Sequence, residues 1–228
     1  MALTQNDKKH WPPIQSVYDY LTNVVIPADA RVLEIGPGTA PFKRADVSVD
    51  FVDVQGVKNF VKCDVATEPL PFKDKEFDFV IARHVLEDMY NPFPLCAEMS
   101  RVAKAGYVET PSPMAELGRG VDGGSPPFRG YHHHRFMAWV LGDELRFISK
   151  YPFVEYLKFD EAAIDTLLRQ DARYWNTYMI WTDRINVVHR QSPLDFSIPR
   201  DYALVLTEAM ERSKEATDIF FSNIKAPK

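Results

Sequence analysis

The segment Arg31-Val32-Leu33-Glu34-Ile35-Gly36-Pro37-Gly38 constrains the fold more than any other part of the chain. A short apolar run that stops at Gly-X-Gly reads as a buried strand feeding a tight turn. Glycine lets the backbone bend sharply and approach a ligand with no side chain in the way. Further apolar runs follow at residues 47–54, 59–63, 76–82 and 106–109, and each reads as a strand. Between the last two lies a helical pattern over 92–104, in which Leu95, Met99, Val102 and Ala103 share a face. Another helix is expected over 14–25, after Pro12-Pro13. Strands and helices that alternate in this way predict an α/β domain with a mostly parallel central sheet.

Beyond residue 110 the pattern changes. Residues 111–130 are rich in proline and glycine and are expected to form a loop. Gly142-Asp143 between apolar runs predicts a β-hairpin over 135–151. A helix is expected over 161–172, one long strand over 178–188, and a helix over 201–213 with a polar tail after it. The chain therefore reads as a single domain over 1–228. Its parts are an N-terminal helical cap (1–30), a ligand-binding half (31–110), a loop-and-hairpin elaboration (111–160) and a C-terminal half that completes the sheet (161–228).

Charge and hydropathy narrow the function classes. The 228 residues carry a formal net charge of −5, so no global positive field favours nucleic acid. No apolar run approaches the length of a membrane helix, and the first ten residues have no signal-peptide core, so a cytoplasmic protein is expected. The two cysteines, Cys63 and Cys96, fit a reduced setting.

The glycine turn lacks a third glycine, because position 41 is proline, which removes the dinucleotide form. Three features follow it in order. The first is an acid at the end of the next strand, placed to accept hydrogen bonds from ribose hydroxyls; Asp50 and Asp53 compete, and Asp53 is preferred if the strand runs through Phe51-Val52. The second is Asp64-Val65 after the third strand. The third is Leu70-Pro71-Phe72 and Phe77-Asp78 leading into Arg83-His84-Val85-Leu86-Glu87. This ordered set, over roughly residues 31–110, resembles class I S-adenosylmethionine-dependent methyltransferases of the type 11 group. The resemblance implies a Rossmann-like fold and S-adenosyl-L-methionine as cofactor. It implies that Glu34, Gly36, Pro37 and Gly38 pass the amino acid part of the cofactor, that Asp50 or Asp53 holds the ribose, and that Asp64 with Val65 holds the adenine. Arg83 and His84 would lie near the methionine end. The sequence departs from the pattern at Pro37, in a short helix expected over 39–44 that contains Pro41, and at Asp88, where a second histidine is usual.

Methyl transfer needs an unprotonated nucleophile, and a neutral imidazole can accept the proton. His84 is the first candidate base, with Glu109 and Tyr131 behind it. The phrase Tyr131-His132-His133-His134 holds half of the six histidines. In a strand His132 and His134 would share a face while His133 points away. His132 and His134 are thus weak candidate metal ligands, aided by His84 or Glu109, and candidate catalytic groups. Aromatic residues crowd the second half, and Trp11 is a candidate lid. The leading expectation is an enzyme that methylates a small-molecule or peptide-like acceptor; the sequence does not set its oligomeric state, for which a homodimer is the candidate. A metal-assisted histidine site and a noncatalytic cofactor-binding module are the alternatives.

Overall fold

The structure is a computed structural model, described for residues 14–122, 128–190 and 198–224. Six strands form the central sheet: β1 (Val32–Ile35), β2 (Val47–Asp50), β3 (Phe60–Lys62), β4 (Phe77–Arg83), β5 (Ala103–Pro111) and β8 (Asn176–Thr182), in the order β3-β2-β1-β4-β5-β8. The first five pair in parallel, and β8 lies antiparallel against β5. The fold is therefore α/β with a mostly parallel sheet. Strand alternation sorts its side chains. Leu33, Ile35, Val80, Ala82 and Val108 pack with α2 (Phe93–Val102) through Leu95, Cys96 and Met99. Val32, Phe79, Ile81 and Tyr107 pack on the other face with Val17 and Leu21. Both faces are covered, as parallel sheets require.

The N-terminal helix forms as expected from Gln15, but it is in two parts. α1 (Gln15–Tyr20) runs into a π turn (Leu21–Val25) that closes with Ile26 N–H on Leu21 O at 2.9 Å. Pro12-Pro13 and Trp11 lie outside the described residues. The short helix expected over 39–44 does not form; those residues make turns. Pro41 lacks the N–H that a helical turn would use, and Phe42 N–H goes to the Glu34 carboxylate instead, at 2.8 Å.

The hairpin forms from β6 (Phe136–Leu141) and β7 (Glu144–Ser149) around Gly142, whose φ is +63°. It joins a second, three-stranded sheet, β6-β7-β9, in which β9 (Asn186–His189) runs parallel to β7. The long strand expected over 178–188 is thus two strands, β8 and β9, in different sheets. The break falls at Asp183, with φ +68°; its N–H bonds Lys104 O at 2.7 Å and its carbonyl accepts from Lys75 Nζ at 2.8 Å.

The hairpin is a wall between two cores. Phe136, Ala138, Leu145 and Phe147 face the central-sheet core. Met137, Trp139 and Ile148 face a second core built with α3 (Pro113–Leu117), α4 (Glu161–Gln170) and α5 (Ile198–Asn223). α3 corrects the expectation of a plain loop after β5. Ser112 caps it by accepting from Ala115 N–H at 3.2 Å, and every residue of α3 is buried. α5 corrects the expected polar tail: the helix continues past 213, and Phe220 stacks on Tyr178 at 5.1 Å between ring centres.

Candidate active site

The strand order reverses between β1, which leads to β2 and β3, and β4, which leads to β5. In open α/β sheets a ligand crevice forms outside the carboxyl ends of the strands at such a switch point. A cleft of about 440 Å³ lies there. It is lined by the turns after four strands: Gly36 and Gly38 after β1, Asp50 and Phe51 at the end of β2, Asp64 and Val65 after β3, and His84, Val85 and Met89 after β4.

Each wall has a local cause. Gly36 has φ +66° and Gly38 φ +51°, and a Cβ added at Gly36 would overlap Val85 Cγ2. The turn after β1 therefore needs glycine for its conformation and for the close approach of the turn after β4. Gly36 N–H bonds Val49 O at 2.9 Å, which ties the turn to β2. Asp64 is braced in its own turn, accepting from Ala66 N–H at 3.1 Å and from Thr67 Oγ1 at 2.9 Å.

β2 stops at Asp50, so the expectation that it runs through Phe51-Val52 is corrected. Asp50 accepts from Val52 N–H at 3.1 Å and lines the cleft. Asp53 is exposed, outside the cleft lining, and paired with Lys62 at 3.2 Å.

Glu34, Pro37 and Arg83 are also not among the lining residues. Glu34 is buried and accepts from Arg83 at 2.7 Å; Arg83 also donates to Ala40 O at 2.6 Å and sits over the Tyr18 ring. Burial raises the Glu34 carboxyl pKa, against the pull of the Arg83 guanidinium. This pair pins the 39–44 turns beneath the glycine loop and supports the cleft from behind.

His84 reaches the cleft in a left-handed conformation, φ +54°, which is costly for a residue with a side chain. Its N–H bonds Glu109 O at 2.8 Å. The imidazole Nδ1 lies 3.3 Å from Glu87 and Nε2 3.8 Å from Glu109, and both carboxylates are buried. Burial opposes the charged ring, but Glu109 and Glu87 outweigh it and raise the pKa to about 9. At neutral pH the ring is therefore a cation. Its expected role as a free base is not supported by this setting. Glu109 is further held by Tyr107 Oη at 2.8 Å and Asn176 Nδ2 at 2.6 Å.

The histidine phrase is irregular backbone, not a strand, so strict alternation does not govern it. Arg135 docks it on the turn after β4, with N–H on Glu87 O at 2.6 Å and the guanidinium on Tyr90 Oη at 2.9 Å. His133 and His134 converge there on Asp88, whereas His132 turns away to Asp122 at 3.3 Å. The converging pair is thus 133 and 134, not 132 and 134. Tyr131 packs tilted against the His134 ring at 4.6 Å, outside the cleft lining, and burial raises its phenol pKa beyond the ordinary range. Sequence reasoning missed Glu116, whose buried carboxylate meets His134 Nδ1, and Lys150, which donates to the other oxygen of Glu116. The Ser112-Pro113 pair, a helix start, was the signal that residues 113–117 were not a loop.

Comparison with known proteins bears on the first half of the chain. Residues 25–108 match the family described as "Methyltransferase domain" (Methyltransf_11). The likeness to methyltransferases therefore holds for this segment, 84 of the 228 residues. An uncharacterised protein of Methanocaldococcus jannaschii is 39% identical over 84 residues, which cover 33% of this chain and 40% of that protein. This chain thus spans less than half the length of that relative. Among solved structures, a SAM-dependent methyltransferase from Aquifex aeolicus is 15% identical over 45% of this chain and 75% of its own, with a TM-score of 0.32. Coclaurine N-methyltransferase bound to N-methylheliamine and SAH is 15% identical over 43% of this chain and 36% of its own, with a TM-score of 0.35.

Proposed function

We propose that the protein is an S-adenosylmethionine-dependent methyltransferase acting on a small-molecule or peptide-like acceptor. The observation that carries this reading is the cleft at the switch point, inside the segment that matches the methyltransferase family. Its residues fit the cofactor. Gly36 and Gly38 offer bare backbone to the amino acid part, Asp50 suits the ribose hydroxyls, and Asp64 with Val65 suits the adenine edge. Asp53 stands outside this set. When bound, the cofactor supplies a methyl group activated on its sulfonium.

The protein's own contribution is orientation and exclusion of water, which accounts for most of the rate in a one-step displacement. His84 faces the cleft as a cation held by Glu87 and Glu109. That charge suits an anionic group of the cofactor or acceptor better than it suits proton abstraction. The apolar wall of Phe51, Val85, Met89 and Tyr90 and the modest cleft volume suit a compact acceptor.

The acceptor class is tested by incubating the protein with methyl-labelled S-adenosylmethionine and cell extract separated into low-mass, peptide and nucleic acid fractions. Label is expected in the low-mass or peptide fraction. Label confined to nucleic acid would contradict the acceptor assignment.

A further inference from the structure

We propose that Asp88, His133 and His134 form a binding site for a divalent transition metal of the zinc class at the rim of the cleft. The three ligand atoms lie within 4.8 Å of one another. His133 Nε2 stands 3.5 Å from Asp88 Oδ1, and His134 Nε2 stands 3.6 Å from the same oxygen. Charge-assisted hydrogen bonds between such groups are shorter, about 2.7–2.9 Å. Ligands held roughly 2.0–2.2 Å from a tetrahedral metal stand about 3.3–3.6 Å apart, which is close to the two separations to Asp88.

A second, independent feature points the same way. His134 is buried, and its Nδ1 is bonded at 2.5 Å to Glu116, a fully buried carboxylate that Lys150 also binds. Metal-binding histidines are commonly oriented by such a carboxylate on the other ring nitrogen, which aims the remaining nitrogen at the ion. Here that remaining nitrogen is Nε2, the one facing Asp88.

Two histidines and one carboxylate leave at least one coordination position open, the arrangement of sites that bind water or substrate. Asp88 also lines the cofactor cleft, whereas the His133 side chain is largely exposed at its rim. Through Asp88 the site adjoins the cleft, where an oxygen, nitrogen or sulfur of the acceptor could complete the shell. This last role rests on the methyltransferase reading; the metal site itself does not.

The test is calorimetric titration of the tag-free, chelator-treated full chain with Zn²⁺ near neutral pH, with Co²⁺ absorption as a second readout. Wild type is expected to bind about one equivalent with a tetrahedral Co²⁺ spectrum. His133→Ala and Asp88→Asn are each expected to weaken binding at least about tenfold, and His132→Ala is expected to match wild type. His133 and Asp88 are exposed, so their substitutions leave the buried Glu116 contacts of His134 in place. Uptake well below one equivalent by wild type, or unchanged affinity in His133→Ala, would overturn the site. Titration with S-adenosylhomocysteine in parallel separates the two readings: metal uptake without cofactor binding would defeat the methyltransferase reading and leave the metal site standing.

Discussion

Three positions separate Asp50 from Asp53, and the end of β2 divides their surroundings. Asp50 closes the strand and lines the cleft, while Asp53 is exposed against Lys62. Asp50→Asn is therefore expected to weaken S-adenosylhomocysteine binding by about tenfold or more, the loss of a charged hydrogen bond. Asp53→Asn is expected to change it less than about twofold, as measured by calorimetry on both variants. His84 carries a pH prediction. Its pKa rises from the ordinary 6.5 to about 9 in the folded protein. A raised pKa stabilises the fold fully below the unfolded value, and the gain disappears as pH climbs through the folded value. The stability difference between wild type and His84→Gln, followed by urea unfolding, should thus shrink by about 2–3 kcal/mol between pH 6.5 and pH 9 and above. A difference that stays flat with pH would contradict the His84–Glu87–Glu109 arrangement. The sequence exposed His84 as a strand-end residue, but its two carboxylates come from Glu87, three residues on, and from β5. Only the β4–β5 register brings Glu109 beside it.

Among the elements, the first five strands were legible because each is a short apolar run closed by a turn residue, a local signal. β8 and β9 were not. Apolar residues on both sides, Tyr178 to Trp181 and Ile185 to Val188, read as one strand although Thr182-Asp183-Arg184 interrupts them. The break at Asp183 depends on Lys75 and Lys104, which are distant in sequence. α5 was read too short for a similar reason. Phe220 and Phe221 look like isolated apolar residues in a polar tail, yet they pack on Tyr178 in the core behind β5 and β8. Replacing both with alanine is expected to cost about 2–4 kcal/mol of stability, measured by urea unfolding. A loss within about 0.5 kcal/mol, the range of surface substitutions, would show that the end of α5 does not anchor this core.

Across the whole molecule, the two halves serve the cleft differently. Residues 31–110 build its floor from strand ends, which is why its lining residues at Gly36, Gly38, Asp50, Asp64 and His84 could be picked out from motifs. Residues 131–135, just ahead of the hairpin, dock through Arg135 onto the turn after β4 and meet the cleft at Asp88. Their composition was visible as a histidine run, but the convergence of His133 and His134 on Asp88 required the tertiary docking. Everything proposed for the protein's activity rests on the floor accepting the cofactor. The most direct test is calorimetric titration of S-adenosylhomocysteine into wild type and Gly36→Val. A side chain at Gly36 meets both the left-handed backbone and Val85. Wild type should bind one equivalent, and Gly36→Val, if still folded by circular dichroism, should show no measurable binding. No binding to wild type, or equal affinity in a folded Gly36→Val, would contradict the assignment of this cleft as the methyl-donor site.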